Sequence, residues 1–238
     1  MGKGIFFTGT DSGVGKTFIA GGLARVWSQS GKRVGVMKPI ESGCVKSESG
    51  LQPQDALFLK EMSHSQDELD LINPYRFEQP LSPSVAADLE GLEIDFKKIE
   101  KIYMQLAATY QLTLVEGAGG LLSPLYKNFT NAELIGLLEI PVVVVARDAL
   151  GTINHTLLTV EYARSQGIHV LGVIINTLSA TPDPSTKTNA QVIKRLSGVS
   201  LLGVVPYLAT PERYDLSSIA KHVGEHVDTA LLIRHERC

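Results

Sequence analysis

The sequence predicts one α/β domain spanning residues 1–238, a doubly wound, mostly parallel sheet with helices on both faces. Three observations predict it. Apolar runs rich in β-branched residues recur at residues 4–8, 33–37, 112–115, 141–146, 170–175 and 201–205. Most are continuous rather than alternating, as strands covered on both faces require. Helical apolar periodicity separates them, and strands that alternate with helices build a parallel sheet. The third observation is a glycine-rich turn, Gly9 to Thr17, set between the first run and a helical pattern.

The first run (Ile5, Phe6, Phe7, Thr8) leads into Gly9-Thr10-Asp11-Ser12-Gly13-Val14-Gly15-Lys16-Thr17, and Phe18, Ile19, Leu23, Val26 and Trp27 continue at helical spacing over residues 16–29. Strand, turn and helix start is the context of a phosphate-binding loop, giving a P-loop NTPase-like fold. Glycines let backbone N–H groups converge, and the helix N-terminus adds partial positive charge. In this reading Lys16 reaches the outer phosphates and the Thr17 hydroxyl faces a magnesium ion. The loop is a variant, because the strict G-x-x-x-x-G-K-[ST] pattern needs glycine where Thr10 stands.

In doubly wound sheets, ligands sit outside the carboxyl ends of the strands, so the residue ending each run carries the interest. The second run ends at Met37-Lys38-Pro39-Ile40-Glu41-Ser42-Gly43, which aims Lys38 at the crevice of the loop. A polar passage from Cys44 to Gln54 follows, and Asp55 then opens a helix over residues 54–60. As a first-turn acid Asp55 suits the helix dipole, and it is also available to a magnesium ion. Pro83 fits the first turn of a helix over residues 83–89, with Ser82 as its cap. A further helix is expected over residues 95–110.

The third run ends in Val115-Glu116-Gly117-Ala118-Gly119-Gly120. An acid at the end of a buried strand has the character of a magnesium-side carboxylate, and the glycines permit close ligand approach. Helical patterns then cover residues 131–138, 153–165 and 188–196, with one or two more within 216–233. Gly151-Thr152-Ile153-Asn154 reads as a helix start whose free N–H groups suit a carboxylate. His155, in that first turn with no evident acid partner, reads as structural. Asn176, closing the fifth run before Thr177, either matches an adenine edge or caps the loop. Val205, Pro206, Tyr207 and Glu212 close the sixth run as a candidate wall for the base.

Composition excludes other classes. Of 238 residues, 44% are hydrophobic and 20% charged, an ordinary soluble balance. A net charge of −3 without a basic block disfavours nucleic-acid binding. Two cysteines, Cys44 and Cys238, give neither a disulfide framework nor a zinc spacing. The first strand begins within a few residues of Met1, which leaves no room for a signal peptide, and no run reaches membrane-spanning length. A cytoplasmic protein is expected.

Taken together, Gly-Thr-Asp-x-x-Val-Gly-Lys-Thr, Lys-Pro-Ile-x-Ser-Gly, an isolated Asp, Val-Glu-Gly-Ala-Gly-Gly, Gly-Thr-Ile-Asn-His-Thr-Leu-Leu-Thr and Gly-Val-x-Pro resemble the dethiobiotin synthetase family in their order. The resemblance runs from Gly4 to about Glu212. It implies ATP- and magnesium-dependent closure of 7,8-diaminononanoate with carbon dioxide to dethiobiotin, ADP and phosphate, through a carbamate and a carbamic–phosphoric anhydride. It implies a phosphate cradle at Gly13, Val14, Gly15, Lys16, Thr17 and Phe18, with Thr17, Asp55 and Glu116 as metal ligands. Lys38 and Lys16 become the catalytic cations, and Ser42 a substrate contact. Glu116, Gly117, Ala118 and Gly119 line the nucleotide, while Asn176, Thr177, Val205, Pro206, Tyr207 and Glu212 take the base side. Gly151, Thr152, Ile153 and Asn154 are expected to hold the substrate's far carboxylate across the boundary of a homodimer.

The chain departs from the family at Ser12-Gly13, where Thr-x is frequent, and at Ser82-Pro83-Ser84, where the third residue is often histidine. Two rival readings fit less well. Cobyrinate a,c-diamide synthases add an amidotransferase domain that this length excludes, and partition-type ATPases carry an additional early lysine that residues 10–14 lack.

Overall fold

A computed structural model describes residues 3–181 and 183–234; Cys238 lies outside the described residues. The elements in chain order are β1 (Lys3–Gly9), α1 (Lys16–Gln29), β2 (Val34–Met37), β3 (Ile40–Ser42), β4 (Val45–Ser47) and β5 (Gly50–Gln52). Next come α2 (Gln54–Ser63), α3 (Leu69–Ile72), β6 (Tyr75–Phe77), α4 (Pro83–Glu90), α5 (Phe96–Thr109) and β7 (Leu112–Gly120). They are followed by β8 (Pro124–Tyr126), β9 (Phe129–Thr130), α6 (Asn131–Leu138), β10 (Val142–Arg147), α7 (Thr152–Ser165) and β11 (Val170–Asn176). The chain continues through α8 (Thr186–Ser197), β12 (Leu201–Val205), a 3₁₀ turn (Glu212–Tyr214), α9 (Leu216–His226) and α10 (Thr229–Arg234).

The central sheet has six parallel strands in the order β12-β11-β10-β1-β7-β2. Its strands contain the six apolar runs, but β7 continues past Val115 to Gly120, so Glu116 lies within the strand rather than at its end. The chain works outward from β1 to β2 by way of α1, then returns and crosses to β10 on the other side of β1. The direction of winding therefore reverses at β1, whose carboxyl end carries the glycine-rich loop, and such reversals leave a ligand crevice.

Helices cover both faces, as the alternation in β1 makes plain. Ile5 and Phe7 pack with Ile19, Leu23 and Trp27 of α1 and with Ile219 and Val223 of α9. Phe6 points the other way, into a cluster with Ile99 and Leu106 of α5 and Ile135 of α6. Val144 and Ile175 pack beneath Val160 of α7 and Ile193 of α8. Each such fully buried side chain contributes roughly 1.5–3 kcal/mol by leaving water, which is why the strand runs are mostly apolar.

The structure adds elements that periodicity does not reveal. The polar passage after Cys44 is an antiparallel hairpin, β4 against β5. Its side chains are largely exposed, so no apolar pattern announces it. Strand β3 pairs in parallel with β6, outside the main sheet. Ser82 does stand at the N-cap of α4, but its side chain makes no capping bond. Two residues on, Ser84 Oγ accepts the backbone N–H of Lys127 at 3.0 Å, which ties α4 to the β8–β9 turn. The Cys44 thiol is free and buried.

Candidate functional site

The loop is shaped by glycine. Gly15 stands at the N-cap of α1 with φ +89°, and a Cβ there would lie 2.1 Å from Asn176 Nδ2. Only glycine reconciles a left-handed backbone with so close an approach. Asn176 Nδ2 in turn donates to the Val14 carbonyl at 3.0 Å. The end of β11 is thereby buttoned to the loop that follows β1. The loop also continues the β1–β10 pairing, since Thr10 N–H donates to the Val145 carbonyl at 2.9 Å.

Sheet register brings the ionic groups together. Met37 pairs with Val115, so the residues that follow them, Lys38 and Glu116, meet beside one another. Lys38 Nζ donates to Glu116 Oε1 at 2.5 Å and to Asp55 Oδ2 at 2.8 Å. Thr17 Oγ1 donates to the same Glu116 oxygen at 2.9 Å. Lys16 Nζ reaches the Asp11 carbonyl at 3.3 Å. Lys16, Lys38 and Glu116 are all buried, whereas the Asp55 side chain is 42% exposed.

This is an unusual concentration of charge for a protein interior, and it shifts each group. Burial opposes the charge on Lys38, but the nearby Glu116 and Asp55 carboxylates outweigh it and hold the ammonium above the ordinary lysine range. Burial also works against ionised Asp55, yet Lys38 keeps that carboxyl below its usual range. Glu116, fully enclosed, is pushed up by burial against the pull of Lys38. Lys16 is lowered to about 8, by burial and then by the positive charge of Lys38.

A cavity of about 340 Å³ opens over these groups. Its walls carry Gly13, Gly15, Lys16 and Thr17 of the loop, Lys38, Ser42, Asp55, Glu116, Ala118 and Gly119. Most of the phosphate-side residues expected from sequence thus share one chamber. Gly117 packs nearby, where a Cβ would lie 2.7 Å from a ring carbon of Phe6. Ser12, Ser42, Ala118 and Gly119 also line an adjoining cavity of about 320 Å³ at the start of α4.

The residues expected from sequence on the base side gather elsewhere on the same crevice. Asn176 pairs with Val205 and with Arg147 in register, which sets the ends of three strands level. Thr177, Pro206 and Tyr207 line a cavity of about 430 Å³ with Asp148. Glu212, exposed, begins the 3₁₀ turn beyond it. Phe18 meets the Arg213 guanidinium at 5.8 Å, and the same guanidinium stands 6.0 Å over the Tyr207 ring.

Gly151, Thr152, Ile153 and Asn154 do not join the phosphate chamber. Gly151 caps α7, Thr152 is buried and Asn154 is exposed. The adjacent His155 lines a fourth cavity, of about 460 Å³, together with exposed Leu122 and Leu158.

The donor set fits magnesium. Two carboxylates and a hydroxyl converge as hard oxygen donors, and Glu116 Oε2 is buried with no hydrogen-bond partner. Among the described residues no three His, Cys, Asp or Glu side chains form a self-sufficient metal cage. A magnesium here would complete its shell with phosphate oxygens and water, its usual habit.

Sequence reasoning missed Glu41. It stands between the two residues selected from its segment, Lys38 and Ser42, and it lines the phosphate chamber while buried. Its signal is an acid beside apolar Ile40, a few residues past the carboxyl end of β2.

A family model described as an AAA domain matches residues 3–213. The chain is 44% identical over 216 residues to the ATP-dependent dethiobiotin synthetase BioD of Thermodesulfovibrio yellowstonii, covering 87% of this chain and 90% of the relative. It is 39% identical over 231 residues to the protein of the same name from Bacillus subtilis, covering 97% of each. Among solved structures, a ParA family ATPase from Chlorobium tepidum superposes with TM-score 0.58 at 13% identity, over 98% of this chain and 99% of that one. The MinD cell division protein of Aquifex aeolicus gives 0.57 at 18% identity, over 99% and 98%. At such identity these two establish a shared fold. No helix among the described residues is long and apolar enough to cross a membrane.

Proposed function

The chain belongs to the ATP-dependent dethiobiotin synthetase family, and on that premise we propose that it is a cyclo-ligase closing 7,8-diaminononanoate with carbon dioxide at the expense of ATP. The observation that carries this reading is the Lys38 ammonium held between Glu116 and Asp55 beside the loop of Lys16.

In the reaction, one amine adds to carbon dioxide and loses a proton, leaving a carbamate. A carbamate oxygen attacks the γ-phosphorus and ADP departs, giving a mixed carbamic–phosphoric anhydride. The second amine attacks the anhydride carbonyl and phosphate leaves. Anions meet at every stage, so the site must be positive and shielded from water. Gly13, Val14, Gly15 and Phe18 offer backbone N–H groups and the N-terminus of α1 to the phosphates, and Lys16 follows the β- and γ-oxygens. Lys38 holds the carbamate against the transferring phosphoryl group. Its carboxylate partners keep it protonated and aimed, so its orientation precedes the reaction. Thr17, Asp55 and Glu116 would hold magnesium, which when bound neutralises charge on the phosphate oxygens.

Ser42, on the chamber wall, contacts the substrate. Gly117, Ala118 and Gly119 pass close to the nucleotide. Asn176, Thr177, Val205, Pro206, Tyr207 and Glu212 form the base side. Gly151, Thr152, Ile153 and Asn154 take the substrate's carboxylate from a second copy of the chain in a cytoplasmic homodimer. Exposed Leu122, Leu150 and Leu158 around that segment support such an interface.

The test is phosphate release from ATP, magnesium and bicarbonate, with and without 7,8-diaminononanoate. We expect release that depends on the diamine, with dethiobiotin identified by mass. Release indifferent to the diamine overturns the ligase reading in favour of a simple ATPase. Light scattering during size-exclusion chromatography is expected to give the mass of two chains; one chain overturns the dimer.

A further inference from the structure

Helix α2 begins without a local cap. Pro53 stands at its N-cap position and makes no side-chain capping bond. The free amides of the first turn are satisfied from a distance instead. Glu41, 14 residues earlier on β3, accepts the Asp55 N–H at 2.9 Å through Oε1. Its Oε2 accepts the Ala56 N–H at 3.0 Å. Both carboxylate oxygens are thus committed to a helix N-terminus, where the dipole favours negative charge.

The arrangement is costly for a cap. Glu41 is only 6% exposed. Burial and then the neighbouring Asp55 charge push its carboxyl up to about 7. A serine or aspartate just before the helix would satisfy the same amides without burying a long acidic side chain beside another acid. What a local cap would not supply is a link between β3 and Asp55. Asp55 is gripped at both ends: its amide by Glu41, its carboxylate by Lys38. Both grips come from one short segment, residues 38–42.

We propose that Glu41 is a positioning residue: by holding the first turn of α2 it sets the Asp55 carboxylate in the phosphate chamber, and through it the metal-binding strength of the site. The inference rests on the reading of Asp55 as a magnesium ligand. In this account Glu41 acts through Asp55, because each of its oxygens accepts a backbone amide of the first turn of α2.

The test is a double-mutant cycle on the full chain with Glu41→Ala, Glu41→Gln, Asp55→Asn and the combinations. The readout is ADP binding by calorimetry, first in EDTA and then at increasing magnesium chloride. Glu41→Ala is expected to raise the half-saturating magnesium concentration roughly tenfold, the scale of lost outer-shell partners. ADP affinity in EDTA should change by less than about twofold, because the loop that binds phosphate is untouched. Glu41→Gln, which keeps volume and one acceptor, should fall between Glu41→Ala and the parent, and it carries the cycle if the alanine variant does not fold. Added to Asp55→Asn, either change should raise the magnesium requirement by no more than about twofold further, since the two act through one carboxylate. Full additivity, or an unchanged magnesium requirement in the Glu41 variants, overturns the proposal. An unchanged requirement in Asp55→Asn overturns the metal role of Asp55 and the proposal with it, whereas diamine-dependent phosphate release tests the reaction independently.

Discussion

Lys38 Nζ and Glu116 Oε1 meet at 2.5 Å across 78 residues of sequence. Neighbouring strands bring them there, with Met37 opposite Val115 one step earlier. Two buried charges in contact are stabilising only with good geometry and further hydrogen bonds. Thr17 and Asp55 supply those bonds. Removal of one member leaves the others uncompensated, and that makes the cluster testable residue by residue.

Lys38→Ala is expected to lower kcat by about 10²–10³, the scale of losing one preorganised charge stabiliser. The KM for ATP should stay close to the parent's if, as proposed, the loop and Lys16 hold the nucleotide. Steady-state kinetics check this; parental turnover in the variant would remove Lys38 from the reaction.

Glu116→Gln keeps the shape of the side chain but removes its charge. The magnesium concentration for half-maximal activity should rise roughly 10–100-fold. A magnesium titration identical to the parent's would exclude Glu116 from the metal shell.

Nucleotide affinity should weaken as pH rises through the Lys16 range. In the free protein this ammonium titrates at about 8, lowered by burial and by Lys38. Below that pH it is charged and attracts phosphate; above it the neutral amine predominates, and affinity falls by up to about tenfold per pH unit. The same shift makes unliganded stability rise with pH from about 8 to 10.5, because the unfolded chain then binds more protons at this residue. Calorimetric titration of ADP between pH 7 and 10 measures the first effect. Lys16→Arg, whose charge does not titrate there, should flatten it.

Asn176→Ala removes the donor to the Val14 carbonyl. Leaving that acceptor unpaired costs about 1–3 kcal/mol, and the melting temperature should fall by several degrees for a chain of this size. If the free Oδ1 reads adenine, ATP affinity should fall further than GTP affinity. An unchanged ATP-to-GTP ratio would confine Asn176 to shaping the loop.

The scaffold was legible in the sequence because its cause is local. A strand covered on both faces must be largely apolar, and each of the six central strands contains an apolar run, most of them continuous. Helix α1 runs from Lys16 to Gln29, as its periodicity predicts. Lys16, Thr17, Lys38 and Glu116 stand out because each follows an apolar run or opens a helix, whereas Asp55 reads by position as a first-turn acid and joins the site only through the family resemblance. The hairpin β4–β5 was not legible, since its exposed residues alternate against no core. Nor was the bond from Ser84 to the Lys127 amide, which joins residues 43 apart.

Hydrophobic periodicity and local motifs thus reveal the alternation of central strands and helices, the glycine-rich loop and the chemical types at the crevice. Which of those groups touch follows from the assembled fold. That Asn176 braces Val14, that one ammonium serves both Asp55 and Glu116, and that Glu41 caps a helix begun 13 residues later depend on strand register and side-chain reach. Hydrophobic burial writes a periodic pattern along the chain; a hydrogen bond between distant residues leaves none, because its geometry exists only once the sheet has assembled.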